Sequence, residues 1–192
     1  MCDAAIALLA QDGPRGLSHL KVDRRAGVPD GTTSFYYRTR AALLRGVADQ
    51  LIRYDAEAFT EAFKDAPTSS GEVIADVLAR QILSIREEPQ FSRTRARLEL
   101  TMLATGDPDL AAGFEEMDVS FRALVGQFVL ALQSGDVDPA ILDEQATVLL
   151  AYLGGLIFAF ANGSPQVMTR QDIARQMRAV IVGVAAERLG TH

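Results

Sequence analysis

Between Gly27 and Leu44 the sequence reads G-V-P-D-G-T-T-S-F-Y-Y-R-T-R-A-A-L-L. Its first half is small and turn-prone. Its middle carries hydroxyls and two tyrosines, and its end is basic and then apolar. This order predicts a turn at Gly27, a short helix over about Pro29–Tyr37, a second turn, and a long helix capped by Thr39. Pro29 suits the first turn of a helix, where its missing N–H costs nothing. Gly31, Thr32, Thr33 and Ser34 are each poorer than Ala in a helix interior, by up to about 1 kcal/mol, and so short a helix does not persist alone. Packing of Val28, Thr33 and Tyr37 must hold it. Such a helix makes sense where its exposed side has to stay slim and hydroxyl-rich for close approach to a partner.

Upstream, Asp3–Gln11 carries Ala4, Ala5, Ile6, Leu8 and Leu9, an Ala-rich helix with one apolar face. The run Asp12-Gly-Pro-Arg-Gly16 stops it. Ser18 caps a second helix over His19–Ala26, with Leu17, Val22 and Ala26 toward the core, Lys21, Arg24 and Arg25 elsewhere, and His19 packed or capping. Two short helices joined at Gly27, with a helix before them, match a helix-turn-helix unit.

Downstream, the Thr39 helix runs toward Lys64, followed by a linker at Ala66–Gly71. Further helical patterns extend from Val73 to before Pro89, over Phe91–Thr105, from Pro108 to about Leu132, over Ala140–Asn162 and over about Thr169–Leu189. No alternating strand pattern, repeat or low-complexity tract interrupts them. The expected class is all-α: a helix-turn-helix domain over residues 1–46, then a helical domain over 47–192.

At 192 residues, 48% hydrophobic and 23% charged, the chain is long and apolar enough for a real core. Its one cysteine, Cys2, excludes an intrachain disulfide and fits a reducing compartment, the cytoplasm. The most apolar run, Ala146–Ala161, is shorter than the roughly 20 residues of a membrane span and is expected to be a buried core helix, with no membrane as partner. The net charge of −6 argues against nucleic acid, but residues 1–54 hold eight Lys/Arg against five Asp/Glu, a net of +3, and residues 55–192 hold eleven against twenty, a net of −9. That asymmetry suggests a small end facing an anion. No nucleophile elbow, phosphate loop, dinucleotide motif or Cys-x-x-Cys occurs, and the two histidines, His19 and His192, lack the context of a di-iron bundle site. The chain is therefore expected to be no enzyme and to hold no cofactor or metal.

The stretch Ala26–Leu43 resembles the DNA-binding signature of the tetracycline-repressor (TetR) family of bacterial transcription regulators, approximately A-G-V-S-x-G-T-x-Y-x-H-F-x-S-K-x-x-L. Ala26, Gly27, Val28, Gly31, Thr32, the aromatic Tyr37, the basic Arg40 and Leu43 match it. Ser34 stands where the family usually has Tyr, Tyr36 where it often has His, and Asp30 where Lys or a neutral residue is common. The close resemblance covers roughly the first 50 residues; the remainder agrees only in its helical pattern.

The resemblance implies a regulator, and more specifically a repressor released from its operator by a small-molecule ligand. Ser18, Thr39 and Arg40 open helices where phosphates can be met, and Arg24 is a further candidate. Gly31, Thr32, Ser34, Phe35 and Tyr36 form the candidate reading surface, with Asp30 either an acceptor for a cytosine amino group or a helix-start stabiliser. Helix-turn-helix proteins bind as dimers on paired half-sites, so a homodimer on a palindromic double-stranded operator is expected. Leu149, Leu153, Leu156, Met177, Val180, Ile181 and Val184 are its candidate interface, while Leu98, Met102, Phe114, Met117, Phe121, Tyr152 and Asn162 are the candidate lining of an effector pocket. The competing class is a helical homodimeric protein-interaction module without DNA binding, motivated by the charge of Asp30.

Overall fold

In the computed structural model, which describes residues 1–64, 70–133 and 138–190, the apolar periodicity resolves into helices with no strand among the described residues. They are α1 (Cys2–Gly16), α2 (His19–Ala26), α3 (Thr32–Tyr36), α4 (Arg40–Phe63), α5 (Gly71–Ser84), α6 (Gln90–Ala104), α7 (Pro108–Ala131), α8 (Pro139–Ala161) and α9 (Arg170–Gly190). Most of the expected linker, at 66–69, and of the expected break, at 135–137, lies outside the described residues. The all-α class is as the sequence predicts. The packing forms two compact units, residues 1–58 with 87–117 and residues 59–86 with 118–192. A cut at residue 46 isolates the helix-turn-helix, whereas the packing keeps it with most of α4, with α6 and with the start of α7.

The first unit is built on α1, which lies against α6 and α2. Leu9, Val22, Leu43, Val47, Leu51, Leu100 and Phe114 form its core, each fully buried side chain stabilising by roughly 1.5–3 kcal/mol. Helix α1 runs past the expected stop at Asp12. Gly13 leaves helical geometry (φ 65, ψ −172), and Pro14–Gly16 add a further turn beyond it. Asp55 on α4 pairs with Arg97 on α6, while Asp55 Oδ2 and Arg97 Nε are buried without a partner. Burial pushes the Asp55 carboxyl up, and the Arg97 charge opposes it.

Tyr37, at the end of α3, is lodged between α1 and α4. Its hydroxyl lies 3.3 Å from Cys2 Sγ. The thiol contact and then burial hold its pKa up at about 12. The ring sits against Gly46 so closely that a Cβ there would lie 2.3 Å from it.

In the second unit α9 packs on both α5 and α8. Ile74, Leu78 and Ile82 of α5 are buried, as are Phe128 and Val129 of α7, Leu149, Leu153 and Phe160 of α8, and Ile173 and Met177 of α9. Asp138 caps α8, its carboxylate accepting from the Ala140 amide at 2.8 Å, and Pro139 takes the first turn. Gln145 is fully buried. It accepts from Gln133 Nε2 at 2.9 Å and donates to the Ile181 carbonyl at 2.8 Å, so both ends of its amide are used. Helix α8, at 23 residues, is longer than its apolar run and is the one helix among the described residues with the length and apolarity of a membrane span. Its inner face is occupied by the chain's own core.

Gly46 lies in a helix interior, where Ala is ordinarily favoured by about 1 kcal/mol. Because the Tyr37 ring fills the space a Cβ would need, Gly46→Ala is expected to destabilise instead, by about 1–3 kcal/mol. Urea unfolding should show a lower midpoint at an unchanged slope.

Candidate nucleic-acid interface

Helix α2 ends at Gly27 in the left-handed region (φ 68), with the Gly27 amide donating back to the Arg24 and Asp23 carbonyls. The chain then turns through Pro29 and Asp30 to Gly31 (φ 96), and only there does α3 begin. Pro29 therefore does not open the helix as expected; its carbonyl closes the turn by accepting from the Thr32 amide at 3.1 Å. Five residues from Thr32 to Tyr36 make one turn and a half, well below the length at which a helix stands alone.

Two side chains of α2, one turn apart on the same face, hold that turn at both ends. Asp23 is completely buried. Its carboxylate accepts from the Gly31 amide at 2.8 Å, the Thr33 amide at 2.7 Å and the Thr33 hydroxyl at 2.5 Å. It caps the start of α3 from a neighbouring helix, satisfying amides that have no partner within the helix. The Thr33 hydroxyl bond holds its pKa below the usual carboxylate range, with the Thr33 and Gly31 amides adding to this and burial opposing it. At the other end His19 Nε2 lies 2.7 Å from the Tyr37 carbonyl. A carbonyl only accepts, so this ring nitrogen carries the proton. An anion at the start and a donor at the end both match the helix dipole.

Held in this way, α3 buries Thr33 and leaves Gly31, Ser34, Phe35 and Tyr36 exposed. Thr32 is half-buried, and its hydroxyl donates to the Pro29 carbonyl at 2.6 Å, so its proton belongs to the turn. Asp30 lies 4.0 Å from Arg24, an exposed pair. Ser18 and Thr39 act as caps: Ser18 Oγ accepts from the Lys21 amide at 3.3 Å and Thr39 Oγ1 from the Ala42 amide at 3.1 Å. Both hydroxyl protons are left for another acceptor. Arg40, expected at a phosphate, is exposed and has two partners within the chain. Its Nη1 donates to the Leu17 carbonyl at 2.6 Å and its Nη2 to the Pro14 carbonyl at 2.5 Å, so the guanidinium joins the end of α1 to the start of α4. Lys21, Arg24, Arg25 and Arg38 are exposed on and beside α2 and α3.

The candidate interface residues on the last helices lie mostly inside the chain's own core. Leu149, Leu153, Leu156, Met177 and Ile181 are buried within the chain itself, with Val180 and Val184 half-buried, so the core of one chain already uses most of them. The exposed apolar faces are Val148, Ala151, Gly154, Gly155 and Phe158 on α8, and Ala179, Val182, Gly183 and Ala186 on α9. The seven candidate effector residues do not gather in one unit. Leu98, Met102, Phe114 and Met117 belong to the first, Phe121, Tyr152 and Asn162 to the second. Phe114 fills the first unit's core with Met117 beside it, Leu98 and Phe121 are half-buried, and Met102 is 75% exposed. The Tyr152 hydroxyl is bonded to Gln176 Oε1 at 2.5 Å, and the exposed Asn162 amide donates to the Phe158 carbonyl at the end of α8.

Residues 69–187, more than half of the chain, match the model of the tetracycline repressor-like C-terminal domain. The chain belongs to the tetracycline-repressor-like family. Solved structures agree over almost the whole length. A transcriptional regulator of Rhodococcus sp. RHA1 superposes with a TM-score of 0.73 at 17% identity, covering 97% of this chain and 94% of the other. The multidrug-binding protein EbrR, solved with ethidium, gives 0.63 at 22% identity, covering 93% and 95%. A protein of Saccharomonospora viridis described as a transcriptional regulator, solved with choline, gives 0.74 at 13% identity, covering 94% and 93%. At these identities the likeness is one of fold. No curated protein sequence matches significantly. With its family established, the chain is a DNA-binding transcriptional regulator, and the DNA-free interaction module is not the favoured reading.

In this family member Asp23 is the residue that sequence reasoning missed. The available signal was its spacing: four residues after His19 on one face of α2, as an acid between Val22 and two arginines. A buried Asp must have donors, and the nearest downstream run of free amides is the start of α3.

Asp23→Asn is expected to lower stability by about 1–3 kcal/mol, because at least one α3 amide loses its acceptor. The folded state holds the Asp23 carboxyl below the ordinary value of about 3.9. Its stabilisation is therefore complete above that pH and disappears as pH falls through the lowered native value. Thermal unfolding from pH 7 to pH 2 should show part of the wild-type acid limb missing in the variant, and amide exchange at Gly31 and Thr33 should quicken at neutral pH.

Proposed function

We propose that the protein is a cytoplasmic repressor that binds a palindromic double-stranded DNA operator as a homodimer and leaves it when a small-molecule effector binds. The observation that carries the reading is the clamp on α3. A helix with poor propensity is held at both ends by buried or bonded side chains of α2, so that its exposed face is rigid, slim and ringed by cations. Ser34, Phe35 and Tyr36 project toward base edges in this reading. Ser18 and Thr39 give their remaining hydroxyl protons to phosphates on either side, and Lys21, Arg24, Arg25 and Arg38 supply the cationic surface. Arg40 acts indirectly, by keeping α1 and α4 in register beneath α3.

Support for the homodimer comes from the outer face of α8 and α9. A Cβ added at Gly154, Gly155 or Gly183 would meet nothing within 4 Å, so the chain's own packing gives no reason for glycine there. Close approach of a second chain does. Phe158 and Val182, 62% and 66% exposed, supply apolar area beside the glycines. The solved complexes of fold relatives with ethidium and choline support a small-molecule effector. Release then follows from linkage: an effector that weakens operator binding is itself bound more weakly, by the same factor, when operator is present.

Two measurements test this. In gel shifts with the DNA flanking its own gene, the full chain should bind specifically and lose affinity steeply as salt rises. Tyr36→Ala should cost about 1–3 kcal/mol of binding without loss of helicity. Absence of binding to any such duplex would overturn the repressor. Separately, light scattering after size exclusion should find a dimer, converted by Phe158→Glu with Val182→Glu to a helical monomer that binds DNA far more weakly. A double variant that stays dimeric rejects this face.

A further inference from the structure

Phe35 is the most exposed aromatic side chain among the described residues, at 78%, and Tyr36 beside it is 65% exposed. Nothing in the chain's core draws on either ring. Their centroids are 5.2 Å apart with planes at 87°, an edge-to-face contact that orients the Phe35 ring. Both belong to the short segment whose ends Asp23 and His19 hold, so the ring is carried on a fixed support.

A phenyl ring has no hydrogen-bonding atom. It cannot distinguish the donor and acceptor patterns of guanine, adenine or cytosine. In the major groove the one apolar feature of the unmodified base edges is the 5-methyl group of thymine. An exposed phenyl at the centre of a cationic reading face is complementary to that methyl and to nothing else on the groove floor. We propose that Phe35, propped by Tyr36, reads a thymine methyl group in each half-site of the operator. The inference rests on the DNA-binding reading above and adds the base and the group recognised.

The test uses the full chain and duplexes enriched from a random double-stranded library. Each thymine of the enriched site is then replaced by deoxyuridine, which removes only the methyl, singly and at symmetric pairs. One position per half-site should weaken binding about fourfold, and the symmetric pair about fifteenfold, the value of one and two buried methyl groups. In Phe35→Ala, whose ring contributes nothing to the core, the thymine and deoxyuridine duplexes at that position should bind within about twofold of each other. Circular dichroism checks that the variant is folded. Enriched duplexes indifferent to every replacement, or a deoxyuridine penalty that Phe35→Ala retains, overturn the role of Phe35 while leaving DNA binding intact. Failure to enrich any duplex overturns both.

Discussion

One buried carboxylate sets where α3 begins and holds its first turn in place. Asp23 places a charge in the interior, which is unfavourable unless every lone pair finds a donor. Here the donors are the orphan amides at the start of α3 and the Thr33 hydroxyl. Two groups that would each be costly if left alone satisfy one another. His19 repeats the arrangement at the far end. The turn between the helices follows: Gly27 and Gly31 both take left-handed backbone because the chain must reverse within the few residues that bring α3 back over Asp23.

Around this clamp the first unit is tied by contacts of different kinds. Apolar burial supplies the bulk of the stability through α1, α4 and α6. Polar contacts set position. Arg40 joins the end of α1 to the start of α4, Tyr37 is held by Cys2 and Gly46, and Asp55 pairs with Arg97 across α4 and α6. A partly buried ion pair with a buried, unsatisfied atom on each partner adds little stability over an apolar contact. It does specify which turn of α4 faces which turn of α6.

The all-α class, the helix order, the caps Ser18 and Thr39, and the core role of Thr33 were legible, because each depends on spacing along one helix. What depends on contacts between helices was not. Pro29 looked like a helix start because local propensity favours it there, but the Asp23 cap moves the start to Thr32. Arg40 matched a motif position, yet its partners are carbonyls some twenty-five residues earlier in the chain. The buried and exposed sides of α8 were not legible because α8 is apolar nearly all round. With no polar side to mark solvent, periodicity cannot tell Leu153, in the core, from Phe158, outside it. Residue type and helix order do not say whether a Phe fills a core, as Phe114 does, or lines a cavity.

The burial pattern of α3 has an evolutionary consequence. Of its five residues only Thr33 is buried, and the groups that hold the helix sit on α2. The exposed positions 34, 35 and 36 therefore contribute almost nothing to folding. A lineage can substitute them freely and acquire a new binding preference without passing through unstable intermediates. Ser34 and Tyr36, where the chain departs from the family signature, are two of these positions.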